Sequence, residues 1–259
     1  MSQPKIITLD IETAPIEAYV WGLFKQFVGL DQIKHDWSIL AFAAKTLGKK
    51  GVRYFDNRDE DDVRDDTNLL ALLWDELDQA DIVVTQNGIS FDQKKINARF
   101  IEKGWPPPSP YRSIDTKVEA QRIAKFTSNK LEWLAAILTD EKKDRHNEFP
   151  GFSLWAEALK GNPRAWKAME KYNHKDVTTT EKVYLALRPW IGQHPNLGAY
   201  SDGTRPLCPK CGSKKVVLKG LRTTQIGQYH RFRCNSCGGW SHTRHTHTPL
   251  AQRRNQLGN

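Results

Sequence analysis

The chain has 259 residues, 39% of them hydrophobic and 27% charged, enough to bury a large core as one big domain or as one domain with a small appendage. No run of 18 apolar residues occurs, and the N-terminus lacks the layout of a signal peptide, which excludes a membrane-spanning helix and points to an intracellular, cytoplasmic protein. The formal charge of +9 is unevenly spread: Gly203–Asn259 holds eleven Lys or Arg and no acid, whereas residues 1–202 hold 28 bases against 30 acids, so a basic footprint suited to a polyanion such as nucleic acid belongs to the C-terminal part alone.

In chain order, residues 1–13 predict a strand of β-favouring Ile and Thr, stopped by Ala14-Pro15. "SILAFAAKTLG" (Ser38 to Gly48), a "GKKG" turn and "VRYFD" (Val52 to Asp56) extend it into a meander of three strands. The acidic stretch from Asp56 to Asp66 reads as a solvated loop. It leads into a helix from Thr67 to Ala80, whose Leu69, Leu70, Leu73, Trp74 and Leu77 share one face. "DIVVTQN" (Asp81 to Asn87) predicts a central strand, followed by a helix from about Phe91 to Lys103 and a strand over Tyr111 to Asp115. "TKVEAQRIAKF", "NKLEWLAAIL", "FSLWAEALKG" and the long "PRAWKAMEKYNHKDVTTTEKVYLALRPW" predict helices, the last bent near Asn173, with a polar loop over Asp140 to Pro150. A meander followed by alternating helices and strands predicts an α/β domain with a mixed sheet over residues 1–190. The Gly, Pro, Asn and Ser content of Ile191 to Pro206 predicts a linker.

Within the first strand, "LDIET" places Asp10 and Glu12 two residues apart, hence on one face, with Leu9 and Ile11 on the other. Adjacent carboxylates repel unless a proton or cation intervenes, so a metal, a basic partner or exposure at a strand end are all open readings. Oxygen ligands of this kind suit Mg²⁺ or Mn²⁺. Two further acids narrow the choice. Asp92 follows the second buried strand in "NGISFD", and Asp176 lies in "YNHKD" with Tyr172 four residues earlier on the same helical face. In α/β sheets chemistry collects at the carboxyl ends of strands, where Asp10, Glu12 and Asp92 fall.

The ordered motifs "LDIET", "NGISFD" and "YNHKD" resemble those of the DEDD superfamily of 3′-to-5′ exonucleases, of DnaQ-like type on an RNase H-like fold. The resemblance covers residues 1 to about 190. It is to the tyrosine branch: the histidine branch would need His five residues before the last acid, where Lys171 stands, and His174 fits neither role. The resemblance implies hydrolysis of phosphodiesters from a 3′ end with two Mg²⁺ or Mn²⁺ ions as cofactors, and single-stranded DNA is the expected substrate. Asp10 would bridge the ions, Glu12 and Asp176 would complete the shell of the first, and Asp92 would hold the second through water. Tyr172 would position the attacking water. Asn87, Phe91 and Thr13 match the positions that touch the terminal nucleotide, Phe91 by a stacking face. Asp115 has no metal role in the family and is expected to cap a helix or serve structure.

All four cysteines lie in the basic tail, in "CPKCG" and "CNSCGG", with 22 residues between Cys211 and Cys234. Cys208, Cys211, Cys234 and Cys237 have the spacing of one structural Zn²⁺ site with a closed tetrahedral shell. The segment resembles a zinc ribbon over 207–250, followed by a basic tail over 251–259, with strands over Lys214 to Gly220 and Gln228 to Cys234. Arg222, Tyr229, Arg231, Phe232, Arg233 and Trp240 interleave cations with rings, which suits phosphate contact and base stacking. His242, His245 and His247 are read as surface residues, since four cysteine ligands already suffice. Other readings of the whole chain are a 3′-to-5′ exoribonuclease, a non-catalytic nucleic-acid adaptor, and an interaction protein docking through the ribbon to a replication or transcription assembly.

Overall fold

The computed structural model describes residues 3–140 and 148–257, so the loop expected over Asp140 to Pro150 lies mostly outside the described residues. The chain divides into two compact units, Lys5–Tyr184 and a second that contains Leu185–Asn259. No helix among the described residues is long and apolar enough to cross a membrane.

In the first unit the chain runs β1 (Ile6–Thr13), β2 (Glu17–Ala18), β3 (Ile33–His35), β4 (Ile39–Thr46), β5 (Arg53–Asp56), α1 (Thr67–Asp78), β6 (Ile82–Thr85), α2 (Asp92–Glu102), β7 (Arg112–Asp115), α3 (Thr116–Ile123), α4 (Leu131–Leu138), α5 (Ser153–Leu159) and α6 (Pro163–Leu187). Five strands form one mixed sheet, in the order β5-β4-β1-β6-β7. The meander β1, β4, β5 is antiparallel, and β1, β6 and β7 are parallel. This is the mixed-sheet α/β architecture expected. A short β2–β3 hairpin is added; its strands are too brief to leave a periodic signal.

The alternation of β1 decides where chemistry can occur. Ile7, Leu9 and Ile11 point into a core built with Leu69, Leu70, Leu73 and Leu77 of α1 and with Ile96 and Phe100 of α2. Each such fully buried aliphatic side chain contributes about 1.5–3 kcal/mol relative to exposure. A separate core on α5 and α6 joins Leu40 and Ala41 of β4 to Leu154, Ala158, Ala165, Trp166 and Met169. Asp10 and Glu12 alternate with the Ile7–Leu9–Ile11 row, and their bonds run to Asn173 of α6 and Trp155 of α5. α6 is a continuous helix through Asn173. Trp166, Met169, Asn173, Val177, Thr180 and Tyr184, three or four residues apart, form its buried stripe.

One loop departs from expectation. The acidic stretch from Asp56 to Asp66 is not simply solvated, because its ends are built into the fold. Asp66 is wholly buried, accepts from Ile39 N at 3.0 Å and is gripped by Arg99 Nε and Nη2 at 2.8 and 2.7 Å. Asn57 is also buried and donates to Ile39 O at 2.8 Å. Composition alone marks such a run as surface, but two of its polar groups tie β4 to α1 and α2. The hairpin region carries the opposite surprise, since Trp21, Phe24 and Phe27 are almost entirely exposed.

The second unit holds β8 (Val216–Thr224), β9 (Gly227–Cys234), β10 (Trp240–His242) and α7 (Leu250–Arg254). The three strands form an antiparallel sheet ordered β10-β9-β8, with a bulge between Leu218 and Leu221. The stretch read as a linker contains buried Ile191 and Leu197 and a 3-10 turn over Leu197–Tyr200; Leu197 N donates to Pro209 O at 2.7 Å.

Candidate active site and cysteine centre

The expected carboxylates converge. Asp10 and Glu12 leave β1 side by side, opposite Ala43 and Ala41 of β4, both wholly buried. β6 pairs with β1 only from Ile6 to Thr8, so the amide of Ile11 lacks a strand partner on that side. Asp92, at the first turn of α2, supplies one: Ile11 N donates to its Oδ1 at 3.2 Å. The turn that aims Asp92 is sterically demanding. Asn87 takes a left-handed φ of 67°. A Cβ at Gly88 would lie 2.4 Å from that of Thr85, so only glycine fits there. Asp115 locks the same turn by accepting from Asn87 N and Ile89 N at 2.9 and 3.1 Å, while capping α3 through Lys117 N and Val118 N. It is the cap that the sequence suggested.

α6 contributes the remaining groups. Asn173 is fully buried, and its Nδ2 donates to Asp10 Oδ2 at 2.6 Å. Tyr172 hydrogen-bonds to Asp176 one turn on. From α5, Trp155 Nε1 donates to Glu12 Oε2 at 3.1 Å, and its indole meets the Tyr172 ring edge-on at 6.3 Å.

Electrostatics show what this cluster lacks. Burial, then the charges of Asp92, Glu12 and Asp176, push Asp10 well above the usual carboxylate range. Burial and the repulsion of Asp176 raise Glu12 to about 8 against the indole bond that lowers it. Burial raises Asp92 to about 7, opposed by the Ile11 amide. Burial raises Asp176 to about 6, opposed by the Tyr172 bond and by Lys175. The direct partners, an amide side chain, an indole, a phenol and a backbone N–H, are neutral donors that cannot offset the mutual repulsion of four ionised carboxylates. A hard donor set of carboxylate oxygens under mutual repulsion fits divalent cations such as Mg²⁺ or Mn²⁺. Burial also pushes the Tyr172 phenol up, with the charges of Asp176 and Glu12 adding, so it keeps its proton.

Beside Glu12 opens a groove of about 280 Å³ lined by Ile11, Glu12, Thr13, Pro15, Phe91, Phe152 and Trp155. Phe91 and Phe152 are 40% and 64% exposed, so each offers a ring face at its wall. Thr13 and Phe91 therefore stand where the sequence placed them, next to the acids. Asn87 does not line the groove; its Oδ1 accepts from Lys117 Nζ at 3.0 Å. Trp155, Phe152 and Asn173 were not singled out from sequence. Asn173 sits inside "YNHKD" and could have been noticed as an amide on the face of Asp176's helix that meets β1. Nothing in the local pattern of α5 marks Trp155.

In the second unit, Cys208, Cys211, Cys234 and Cys237 bring their sulfurs all within 4.8 Å of one another, a closeness that no other group of three or more such residues matches among the described ones. Two pairs, Cys208–Cys237 and Cys211–Cys234, stand 3.6 Å apart. Tetrahedral Zn²⁺ with bonds of about 2.3 Å needs sulfurs roughly 3.8 Å apart, so the donor set fits it. Burial raises Cys208 and Cys211, whereas Cys234, although burial opposes it, is lowered to about 7 by the amides of Cys237 and Ser236. Of the cationic face foreseen here, Arg222, Arg233 and Trp240 are exposed. Arg231 is partly occupied: its guanidinium lies 5.0 Å over the Trp240 ring and donates to Lys219 O at 3.1 and 3.0 Å.

Comparison with known proteins agrees with the fold. The RNase_H_2 pattern, of the RNase_H superfamily, matches residues 28–188 and so includes Asp92, Tyr172 and Asp176 while starting after Asp10 and Glu12. No curated protein matches. Among solved structures, the chain is similar to the family B DNA polymerase from the hyperthermophilic archaeon Pyrobaculum calidifontis, at 15% identity and a TM-score of 0.48, over 73% of this chain and 26% of the polymerase. The chain thus spans about a quarter of that polymerase's length. With the superfamily pattern covering more than half of the sequence on a five-stranded mixed sheet, this chain belongs to the RNase H superfamily.

Proposed function

We propose that the chain is a metal-dependent 3′-to-5′ exonuclease of the tyrosine branch of the DEDD superfamily, acting inside the cell on DNA, with single strands as the favoured substrate. The observation that carries this reading is the convergence of Asp10, Glu12, Asp92 and Asp176 beside an open aromatic groove, with Tyr172 bonded to the last acid. Asp10, Glu12, Asp92 and Asp176 would hold two Mg²⁺ or Mn²⁺ ions. When bound, these supply the positive charge that the attacking and leaving oxygens of a phosphodiester need.

The chain's own groups do the rest. Asn173 fixes which oxygen of Asp10 faces the cluster, and the Ile11 amide does the same for Asp92. Tyr172 stays protonated, so its hydroxyl orients a water rather than removing a proton from it. Phe91 and Phe152 offer ring faces to a base, a contact usable with any sequence, and Trp155 closes the wall next to Glu12. The cysteine centre would hold one structural Zn²⁺ in a ribbon that adds nucleic-acid affinity.

The test uses 5′-labelled single-stranded DNA, duplex DNA and RNA with Mg²⁺ or Mn²⁺. Wild type should give a ladder shortening from the 3′ end, strongest on single-stranded DNA; Asp10→Ala and Asp176→Ala should give none. A ladder of equal intensity from those variants would sink the reading, and RNA cut faster than DNA would replace the substrate.

A further inference from the structure

Strand register sorts the cations and rings of the second unit in a way the sequence does not display. Residues paired across an antiparallel sheet share a face, and alternate residues of one strand do too. Tyr229, Arg231 and Arg233 alternate along β9; Arg222 pairs with Tyr229, His242 with Arg231, and Trp240 with Arg233. All six therefore stand on one face. Side-chain contacts agree: the Tyr229 and His242 rings lie 5.6 Å apart, and Arg231 lies over Trp240. Phe232 pairs with Leu218 and Ser241 and belongs with His230 and Leu221 on the opposite face, so it leaves the set.

The result is a row of Tyr229, His242, Arg231 and Trp240, flanked by the exposed guanidiniums of Arg222 and Arg233. From Tyr229 to Arg233 it runs roughly 14 Å at about 3.4 Å per residue. No Asp or Glu occurs anywhere in Gly203–Asn259 to oppose an anion approaching it. Arginines alone would suit any polyanion. Partly exposed rings between them suit unpaired bases, because a duplex hides its base faces in the stack.

We propose that this single face of the β8–β10 sheet is a binding site for single-stranded nucleic acid, with phosphates on Arg222 and Arg233 and bases on Tyr229 and Trp240. Arg231 acts mainly by holding the Trp240 ring in place. The site deepens the proposed function and rests on its nucleic-acid substrate, yet it binds without Mg²⁺ or Mn²⁺ and can be measured separately.

The experiment uses the full zinc-loaded chain without added Mg²⁺ or Mn²⁺ and follows anisotropy of a fluorescent single strand and of the matching duplex over a range of salt. Arg222→Ala/Arg233→Ala should weaken single-strand binding about tenfold or more and flatten the log–log salt dependence by about 1.4, near 0.7 for each phosphate contact. Arg253→Ala/Arg254→Ala, which removes the same charge from α7, should weaken it less than threefold. Trp240→Ala should cost single-strand affinity on the order of 5-fold or more and leave duplex binding unchanged, while Trp240→Phe restores most of it. Zinc content, equal in every variant, reports that the sheet is folded.

Equal losses from the two arginine pairs would overturn the site in favour of general attraction to a basic surface. A Trp240→Ala loss as large on duplex as on single strand would overturn the stacking. Binding of an acidic peptide as tight as that of the single strand, lost in the same variants, would make the partner a protein. Digestion of a pentanucleotide with Mn²⁺ separates the two proposals. A wild type that binds the single strand but cuts nothing would refute the nuclease and leave this face standing on its binding alone.

Discussion

The two clusters of like-charged ligands in this chain are assembled in opposite ways. Asp10, Glu12, Asp92 and Asp176 come from one strand and two helices far apart in sequence, and they sit between two hydrophobic cores that do not depend on them. The four cysteines come from two short turns, and around them there is little else. Among the described residues, the buried apolar side chains beyond α6 are Ile191, Leu197, Cys208 and Cys234. A cation at the first cluster relieves repulsion inside a fold that already stands; a cation at the second is itself much of the core. The carboxylates should therefore trade stability for activity, whereas the thiolates should contribute stability outright.

The largest effect expected is at Asp10. Asp10→Asn keeps the shape but removes one charge from the cluster, so hydrolysis should fall about a thousandfold or more, at 1.36 kcal/mol per tenfold. The melting temperature of the metal-free protein at pH 8 should rise, because one buried repulsive charge is gone. Reduced activity accompanied by a lower melting temperature would break the contrast, since it would make Asp10 a structural residue. Next in size is removal of zinc. Chelation, or Cys208→Ser, should abolish the protection of β8–β10 amides in hydrogen exchange and weaken single-strand binding about tenfold, while amides of β1 and β4 stay protected. Loss of protection in both units together would show that they do not fold independently.

A third test uses pH. In the unfolded chain these acids ionise near pH 4. In the folded chain Asp176, Asp92 and Glu12 ionise at about 6, 7 and 8, and Asp10 is raised as well. The folded form thus keeps protons that the unfolded form has already released, so metal-free stability is full below pH 4 as far as these groups are concerned and declines as pH rises from 4 through 8. A fall in melting temperature on the order of 5 °C between pH 5 and pH 8 is expected, and Mn²⁺ should reverse it by replacing the protons. A flat profile would mean that the acids are already paired.

Much of this was legible beforehand because it is periodic or local. The alternation of β1, the helical face of α1, the acids' positions and the cysteine spacing each leave a regular trace. What escaped depends on partners distant in sequence. Asp66 reads as one acid among many until Arg99, 33 residues on, closes over it. The one-sidedness of the ribbon depends on the bulge between Leu218 and Leu221, which resets the pairing so that Arg222 joins Tyr229. Trp155 reads as an ordinary apolar helix position, and only the tertiary approach of α5 to β1, 143 residues apart, gives its N–H a carboxylate.

That bond yields the smallest and most discriminating effect. A neutral donor favours the ionised form of Glu12, and a bond to a charged group is worth about 1.5–3 kcal/mol. Trp155→Phe removes the N–H but retains a ring against Tyr172 and the groove, so Glu12 should ionise above its present value of about 8. Protons compete with metal for the carboxylate, so at pH 7 the Mn²⁺ concentration giving half-maximal activity should rise about threefold to tenfold. Near pH 9 wild-type Glu12 is mostly ionised and the competition fades, so the two titrations should draw together while maximal rates differ little. A deficit that stays the same at every pH would assign Trp155 to the groove wall alone. A convergence would show that the indole tunes the very repulsion that distinguishes the carboxylate cluster from the thiolate one.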